Sequence, residues 1–280
     1  MPAFICTTCG CQYPDSDTPP GGCLICQDDR QYVNPTGQAW TTMTAMRKNY
    51  FNAFRQLEPG LIGVGSFPAF AIGQRALIVS SPAGNVLWDC ISFLDDMTVT
   101  IINALGGLIG IACSHPHFLA SAVDWSHAFG NTPVYLHAMD RQYVTRPDPV
   151  LNYWEGDRLE LADCISLIRC GGHFPGSSVL HWAQGAGGRG ALLTGDTVQV
   201  RPDKGLTYMH SYPNLIPLDA ATVRGIAAIL DPWPFETLYG GWWERVIPAR
   251  AKMVMASSVE QYVRAVTGSP ERSGSTGSPI

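Results

Sequence analysis

The chain has 280 residues, of which 46% are hydrophobic and 15% are charged, and its formal net charge at pH 7 is −5. This composition supports a folded core and excludes a wholly disordered protein. The sequence shows no basic patch for nucleic acid and no apolar run of membrane-spanning length. It also shows no secretory leader, so we expect a cytoplasmic protein that binds neither nucleic acid nor membrane.

The first 26 residues contain five of the nine cysteines, within CTTCGCQYPDSDTPPGGCLIC. Two CxxC pairs, Cys6/Cys9 and Cys23/Cys26, are separated by Gly, Pro and Asp residues that favour turns. Each CxxC turn aims two sulfurs at one point, and a segment with too little apolar material for a core needs such a staple. We therefore predict a four-thiolate metal site in a small ribbon spanning residues 1–30. The alternative is a set of unrelated free thiols.

The ion at the four-cysteine site is predicted to be structural zinc. The pattern also resembles rubredoxin, which holds iron, but Gln27 follows Cys26 and no proline follows Cys23. The second rubredoxin knuckle is therefore imperfect, which favours zinc. The fifth cysteine, Cys11, is predicted to be a spare that could compete as a ligand.

The next segment, residues 41–57, has apolar side chains at intervals of three and four, which predicts a helix ended by Glu58-Pro59-Gly60. Three short apolar runs follow, at 61–73, 75–81 and 85–90, and they predict strands.

An internal similarity then links residues 76–89 with residues 178–196. Each consists of an apolar run, a glycine turn and a second apolar run that ends in aspartate. Two similar halves predict an α/β fold in which two sheets pack together with helices outside. Further helices are predicted at 219–230, with Asp219 as N-cap, and at 257–266.

These elements place the main domain at residues 31–267. The remaining segment, 268–280, is rich in Gly, Ser and Pro and is predicted to be disordered.

Two histidines, His115 and His117, end the apolar run LGGLIGIACSHPH. Residues two apart in a strand face the same side, so both imidazoles can reach one ion. Pro116 cannot donate a ladder hydrogen bond, which places the pair just past the strand, at the rim of the sheet. The alternative is a turn that carries two ordinary histidines.

Two further polar residues, like His115 and His117, lie at the ends of predicted strands. His173 lies among glycines in CGGHFPGSS, on a loop that enters a strand, and Asp196 ends the strand of LLTGDT. Taken alone, an aspartate such as Asp196 is more often a turn or capping residue.

Together these motifs resemble the metallo-β-lactamase fold superfamily. Its members carry an HxHxDH segment, a third histidine in a G-H-x-P-G-S loop, an aspartate at a strand end and a last histidine near the C-terminus. Residues 115–117 match the first half of the HxHxDH segment, and residues 172–177 and 195–197 match the second and third features, in the same order and with similar gaps. The resemblance covers about residues 60–265 and implies an αββα sandwich.

The sequence departs from that pattern at the residues that hold a second metal ion in two-metal members of the superfamily. Leu119 and Ala120 stand where the superfamily has aspartate and histidine, and no histidine occurs in residues 239–242. The resemblance therefore implies one ion, either zinc or iron, held by three histidines with Asp196 as a possible fourth ligand. Those histidines are His115, His117 and His173.

The resemblance implies a metal-dependent hydrolase that cleaves a small ester, thioester or lactone. Asp196 could ligate the metal or orient water, and His210 could serve as a base or substrate contact. Tyr212 and Trp242 are the predicted substrate contacts. The alternatives are a non-catalytic binding or regulatory protein and a mononuclear iron oxidoreductase. The sequence leaves the oligomeric state open.

Overall fold

Two stacked β-sheets with helices on their outer faces form the body of the chain, and a small sheet precedes them. The computed structural model describes residues 1–268, so the predicted disorder of 269–280 lies outside the described residues. The strands are β1 (Ala3–Cys6), β2 (Gln12–Asp15), β3 (Trp40–Thr42), β4 (Phe51–Glu58), β5 (Leu61–Phe67), β6 (Arg75–Ser81), β7 (Gly84–Trp88), β8 (Gly110–Ala112), β9 (Val134–His137), β10 (Leu151–Trp154), β11 (Arg158–Ala162), β12 (Ile165–Arg169), β13 (Ser178–Trp182), β14 (Ala191–Gly195), β15 (Gln199–Val200), β16 (Leu206–Thr207), β17 (Met209–Ser211), β18 (Ile216–Pro217), β19 (Thr237–Gly240) and β20 (Val246–Ile247). The helices are α1 (Met43–Met46), α2 (Asp96–Ala104), α3 (Ala122–Ala128), α4 (Gly185–Gly188), α5 (Ala220–Leu230) and α6 (Ala251–Thr267).

The first large sheet has seven strands in the order β10-β9-β8-β7-β6-β5-β4. Strands β4 to β7 form an antiparallel meander, and β7 to β10 run parallel. The second sheet has the order β11-β12-β13-β14-β19-β20. Two hairpins, β15-β16 and β17-β18, lie beside it, and β2-β1-β3 form the small N-terminal sheet. The predicted α/β sandwich is confirmed.

The apolar residues form three layers, as expected for two sheets covered by helices. A central cluster between the sheets contains Leu77, Trp88, Leu167, Leu180 and Leu193. A second cluster lies under α2 and α3, and a third lies under α5 and α6. The site is built from loops that leave the two sheets at one end of this core.

The helix predicted at 41–57 is wrong. Only Met43–Met46 is helical, and Phe51–Glu58 is the edge strand β4. Its pairing with β5 runs from Phe51↔Phe67 to Glu58↔Leu61, so long-range backbone hydrogen bonds override the local spacing of apolar residues. The predicted stop at 58–60 is the turn of this hairpin.

The predicted capping of α5 is confirmed. The Asp219 carboxylate accepts the N–H groups of Ala221 and Thr222 at 2.8 and 2.9 Å. The helix predicted at 257–266 is the second half of α6, which begins at Ala251. In the described part of the chain, no helix has the length and apolarity needed to cross a membrane.

Two glycines of β5 make room for an aromatic ring from the second sheet. Gly63 and Gly65 face the same side of the strand, as residues two apart must. A Cβ atom on either would lie 2.7–2.8 Å from ring atoms of Trp243. The Trp243 ring therefore lies directly against the backbone of β5, and it joins the two sheets at this edge.

We expect Gly65→Ala to lower the free energy of unfolding by about 1–3 kcal/mol, because the new methyl overlaps the Trp243 ring. Gly225→Ala is the matched control, since a Cβ atom there meets nothing within 4 Å. It should stabilise α5 by about 0.5–1 kcal/mol. Urea unfolding of both variants measures the difference, and equal effects would contradict the packing described.

Candidate metal centres and the cavity beside them

His115 and His117 follow β8 and lie at its carboxyl end. The backbone at His115 is extended, and a single 3₁₀ turn begins at Pro116 and ends at Leu119. Both imidazoles are buried, and their ring centroids are 5.0 Å apart. The predicted position past the end of a strand thus places both rings at the rim of the first sheet.

His173 reaches the same point from the second sheet, on the loop between β12 and β13. Gly171 and Gly172 have φ angles of +69° and +86°, which a residue with a side chain rarely adopts. A Cβ atom on Gly172 would also lie 2.9 Å from Ile226 and Leu218. This turn brings the His173 ring to 4.8 Å from His115.

Asp196 completes the group at the end of β14. Its Oδ1 lies 3.2 Å from Nε2 of His115 and 3.7 Å from Nε2 of His173. The ligand atoms of the three histidines and Asp196 all lie within 4.8 Å of one another. The structure therefore brings together the four residues that the sequence proposed for one ion.

The atoms that face the centre of this group have no hydrogen-bond partner. They are Nε2 of His115, His117 and His173, and Oδ1 of Asp196. Buried polar atoms are normally paired, and four orphans aimed at one point fit the donors of a metal site. Nδ1 of His173 lies 3.1 Å from the Met209 carbonyl, which as an acceptor fixes the proton on Nδ1 and leaves the Nε2 lone pair facing inward.

The surroundings hold these imidazoles neutral, which is the form that binds metals. Burial lowers the pKa of His115 and His117 well below the usual value, and it lowers the pKa of His173 to about 3. Burial, together with nearby Asp89, raises the pKa of the Asp196 carboxyl. Three neutral nitrogens, with one carboxylate once a cation displaces the Asp196 proton, suit zinc or iron.

The second candidate centre is formed by the four cysteines of the CxxC pairs. All four are buried and their ligand atoms lie together. Sγ of Cys6 is 3.6 Å from Sγ of Cys26, and Sγ of Cys9 is 3.5 Å from Sγ of Cys23. Hydrogen bonds between the neighbouring thiols lower the pKa of Cys6 and Cys23 and raise the pKa of Cys9 and Cys26, so two of the four sulfurs release their protons more readily than the others.

The N-terminal segment that carries these cysteines also contacts both histidine loops. Cys11 lies outside the four-sulfur group, and its Sγ is 3.7 Å from the Pro116 carbonyl. Gln12 donates its backbone N–H to the carbonyl of Ala120. Arg30 donates Nε–H to the His173 carbonyl at 2.6 Å and lies 4.6 Å above the Phe174 ring. The small sheet also includes β3, so this unit extends past residue 30.

A cavity of about 270 Å³ opens onto the histidine group. His117, His173 and Asp196 line it on one side. Four residues of the N-terminal segment line it as well, namely Thr8, Arg30, Gln31 and Tyr32. Sequence reasoning missed this wall, because nothing in the run QDDRQY indicates which surface it will cover.

The predicted substrate contacts differ in their placement. Tyr212 and Trp242 line the cavity, and the Tyr212 hydroxyl donates to the Asp196 carbonyl at 2.7 Å. His210 does not join the group, because its Nε2 lies 3.0 Å from the carboxylate of exposed Asp29.

Apolar side chains surround the positions where the superfamily places its second metal ligands. Leu119 and Ala120 are buried in the cluster under α3. The Phe118 ring lies 4.7 Å from the His115 ring and 5.8 Å from the Trp242 ring. Within the described residues, the only His/Cys/Asp/Glu groups suited to an ion are the two described above.

We expect Arg30→Met to weaken metal binding at the histidine site about tenfold, because the hydrogen bond that holds the His173 carbonyl is lost. The four-cysteine site should keep its metal. Competition with a chelator measures both affinities. Arg47→Met is the control, since that side chain is half exposed and its only ion pair within residues 1–268 is with Asp96. Equal affinities in the two variants would rule out a role for Arg30 in the site.

Asp140 holds the loop that carries His173 through a hydrogen bond to its backbone. Its Oδ1 accepts the Gly176 N–H at 2.7 Å, whereas its Oδ2 is buried without a partner. Burial raises the pKa of this carboxyl from 3.8 to about 7. Between these two values the folded state keeps a proton that the unfolded state has lost, so stability decreases as the pH rises through this range.

Asp140→Asn keeps an acceptor for Gly176 and cannot ionise. We expect the variant to be more stable than the parent by about 2 kcal/mol near pH 8, with the difference shrinking towards pH 4. Thermal unfolding across this pH range gives the comparison. A difference that does not depend on pH would show that folding leaves the pKa of the Asp140 carboxyl unchanged.

Comparison with known proteins identifies a relative with a similar sequence and many solved structures with a similar fold. No family model matches the sequence. The uncharacterized protein YmaE of Bacillus subtilis (strain 168) is 43% identical over 269 residues, which cover 95% of this chain and 97% of YmaE.

Among solved structures, the DIM-1 metallo-β-lactamase matches with a TM-score of 0.57 and 15% identity, covering 75% of this chain and 97% of its own. The metallo-β-lactamase FIM-1 from Pseudomonas aeruginosa, in its mono-zinc form, matches with a TM-score of 0.55 and 15% identity. The match covers 75% of this chain and 95% of the FIM-1 chain. At this identity the likeness shows a common fold.

Proposed function

Because the chain belongs to the same family as Bacillus subtilis YmaE and has the metallo-β-lactamase fold, we propose that it is a metal-dependent hydrolase with one ion at the histidine site. Its proposed substrate is a small ester, thioester or lactone. The observation that carries the proposal is the set of four unpartnered donor atoms, three imidazole Nε2 and one carboxylate oxygen, at the wall of an open cavity.

His115, His117 and His173 would hold the ion, which we propose to be zinc, with iron as the alternative. Zinc bound by three imidazoles lowers the pKa of a coordinated water to about 7 and polarises a carbonyl oxygen. Ser114 and the Met209 carbonyl lie within hydrogen-bond distance of Nδ1 of His115 and His173 and fix the orientation of these rings. The ligand geometry is thus set before any substrate arrives.

Asp196 is the one carboxylate in the group and has two possible tasks. As a fourth ligand it would add charge to the site, and as a base it would accept the proton that the nucleophile loses. Its backbone carbonyl already accepts the Tyr212 hydroxyl, which fixes the end of β14. The Tyr212 ring and Trp242 are left to position the substrate and to exclude water from the cavity.

Several features support a single ion. Leu119 and Ala120 have no donor atoms in their side chains, and the adjoining rings of Phe118 and Trp242 fill space beside His115. The fold also accommodates one ion elsewhere, since FIM-1 is described in a mono-zinc form.

We place the protein in the cytoplasm, because none of the nine cysteines, all of which lie in the described residues, forms a disulfide, which suits a reducing compartment. The four-cysteine site is proposed to hold structural zinc. The proposed partner is a small-molecule substrate rather than nucleic acid or a membrane.

We expect His173→Ala to lower hydrolysis of an ester, thioester and lactone panel about 100-fold or more, because one ligand of the ion is lost. Circular dichroism should show that the variant stays folded, and elemental analysis should show about one metal per chain instead of two. His127→Ala is the control, since its side chain is 43% exposed and lies on α3.

Three outcomes distinguish the alternatives. A fully loaded protein that turns over no member of the panel would exclude the proposed hydrolase and favour a binding protein. Visible absorbance from an iron–thiolate centre after purification without oxygen would favour the oxidoreductase. A colourless protein with zinc alone would remove that alternative.

A further inference from the structure

We propose that a basic, tryptophan-lined groove next to the cavity binds the anionic end of the substrate, a phosphate or carboxylate that lies at a distance from the scissile carbonyl. The groove has a volume of about 590 Å³ and is formed by the β15-β16 hairpin and the loop after β19. The proposal assigns an anionic substrate to the histidine site, and this assignment rests on the proposed hydrolase function.

The groove and the cavity are neighbours that share two lining residues, Gln199 and Trp242. A ligand whose reactive group lies at His173 and Asp196 can therefore extend past Trp242 into the groove. The combined space exceeds what a small ester or lactone alone would fill. This continuity favours a substrate with a second recognition element.

The charges at the groove are unbalanced in favour of cations. The Asp203 carboxylate is paired with Arg201 at 2.8 Å, and the exposed Glu244 carboxylate is paired with Arg55 at 3.2 Å. Neither carboxylate forms an ion pair with Lys204 or Arg245, which also line the groove.

Arg245 has the more available charge of the two. Its guanidinium makes no hydrogen bond or ion pair with any residue between 1 and 268, and Lys204 uses one N–H to donate to the Glu244 carbonyl at 3.0 Å. Two uncompensated cations in a chain of net charge −5 mark a local site for an anion. A guanidinium beside an ammonium suits the oxygens of a phosphate or a carboxylate.

The floor of the groove is aromatic and fixed. Trp243 is held against the glycines of β5, with the guanidinium carbons of Arg55 and Arg75 at 5.0 and 5.5 Å from its ring centroid. Trp242 donates its ring N–H to the Ile72 carbonyl at 2.8 Å. Two immobilised indole rings offer an apolar surface for the part of the substrate that joins the carbonyl to the anion.

The test uses S-acetyl ω-mercaptoalkyl compounds of increasing length that end in a hydroxyl, a carboxylate or a phosphate. We expect kcat/KM for the anionic compounds to exceed that of the hydroxyl compound about tenfold, at one preferred length. The preference should decrease with added salt. Comparison of carboxylate with phosphate identifies the better anion.

The variant Lys204→Met with Arg245→Met keeps the apolar stems and removes both charges. It should lose the preference, so that kcat/KM for the anionic compounds falls to near that for the hydroxyl compound. Arg158→Ala removes one positive charge from an exposed position on β11 and should change nothing.

Calorimetric binding of the free thiols to the metal-loaded protein is measured alongside, since it does not require turnover. If no compound is hydrolysed but the anionic thiols bind more tightly and lose this advantage in the double variant, the hydrolase proposal fails and the groove stands. Equal affinities and equal rates for all three end groups would overturn the groove while leaving the hydrolase intact.

Discussion

Three imidazoles and one carboxyl group are buried around a single point, away from water. The rest of the structure depends on this constraint. Buried polar atoms without partners are costly, and here four of them face one another. A cation at their centre offsets that cost, whereas an empty cluster would destabilise the loops that carry it. The supports of the site follow from this constraint: the positive φ angles of Gly171 and Gly172, the buried Asp140 beneath the loop, and the hydrogen bond at Nδ1 of His173.

The N-terminal segment takes part in this arrangement and is not an independent appendage. Its cysteines are gathered in one buried cluster, and the chain on either side of them reaches both histidine loops through Gln12 and Arg30. A metal bound by the four thiolates would fix this short segment, which has little apolar core of its own. The two candidate metal centres would thereby be linked, because the first would stabilise a wall of the cavity that lies beside the second.

The sequence was most informative where chemistry is encoded within a few residues. The strand-end positions of His115, His117 and Asp196, the glycines before His173 and the cap at Asp219 all follow from local rules. It failed where distant partners decide the outcome. Strand β4 carries a helix-like spacing but is formed by pairing with β5. The cavity wall from Arg30 and the pairing of His210 with Asp29 likewise depend on contacts between segments more than 140 residues apart, which no local pattern reveals.

The burial of Leu119 restricts which side chains this part of the site can accept. An aspartate at this position would place an ionisable carboxyl in an apolar cluster, and a histidine at the next would need to fit where Ala120 has a φ of +45° and its carbonyl holds Gln12. The rings of Phe118 and Trp242 would also have to move. A second ion in this region would therefore require several coordinated substitutions, each harmful alone, so no single substitution can supply its ligands.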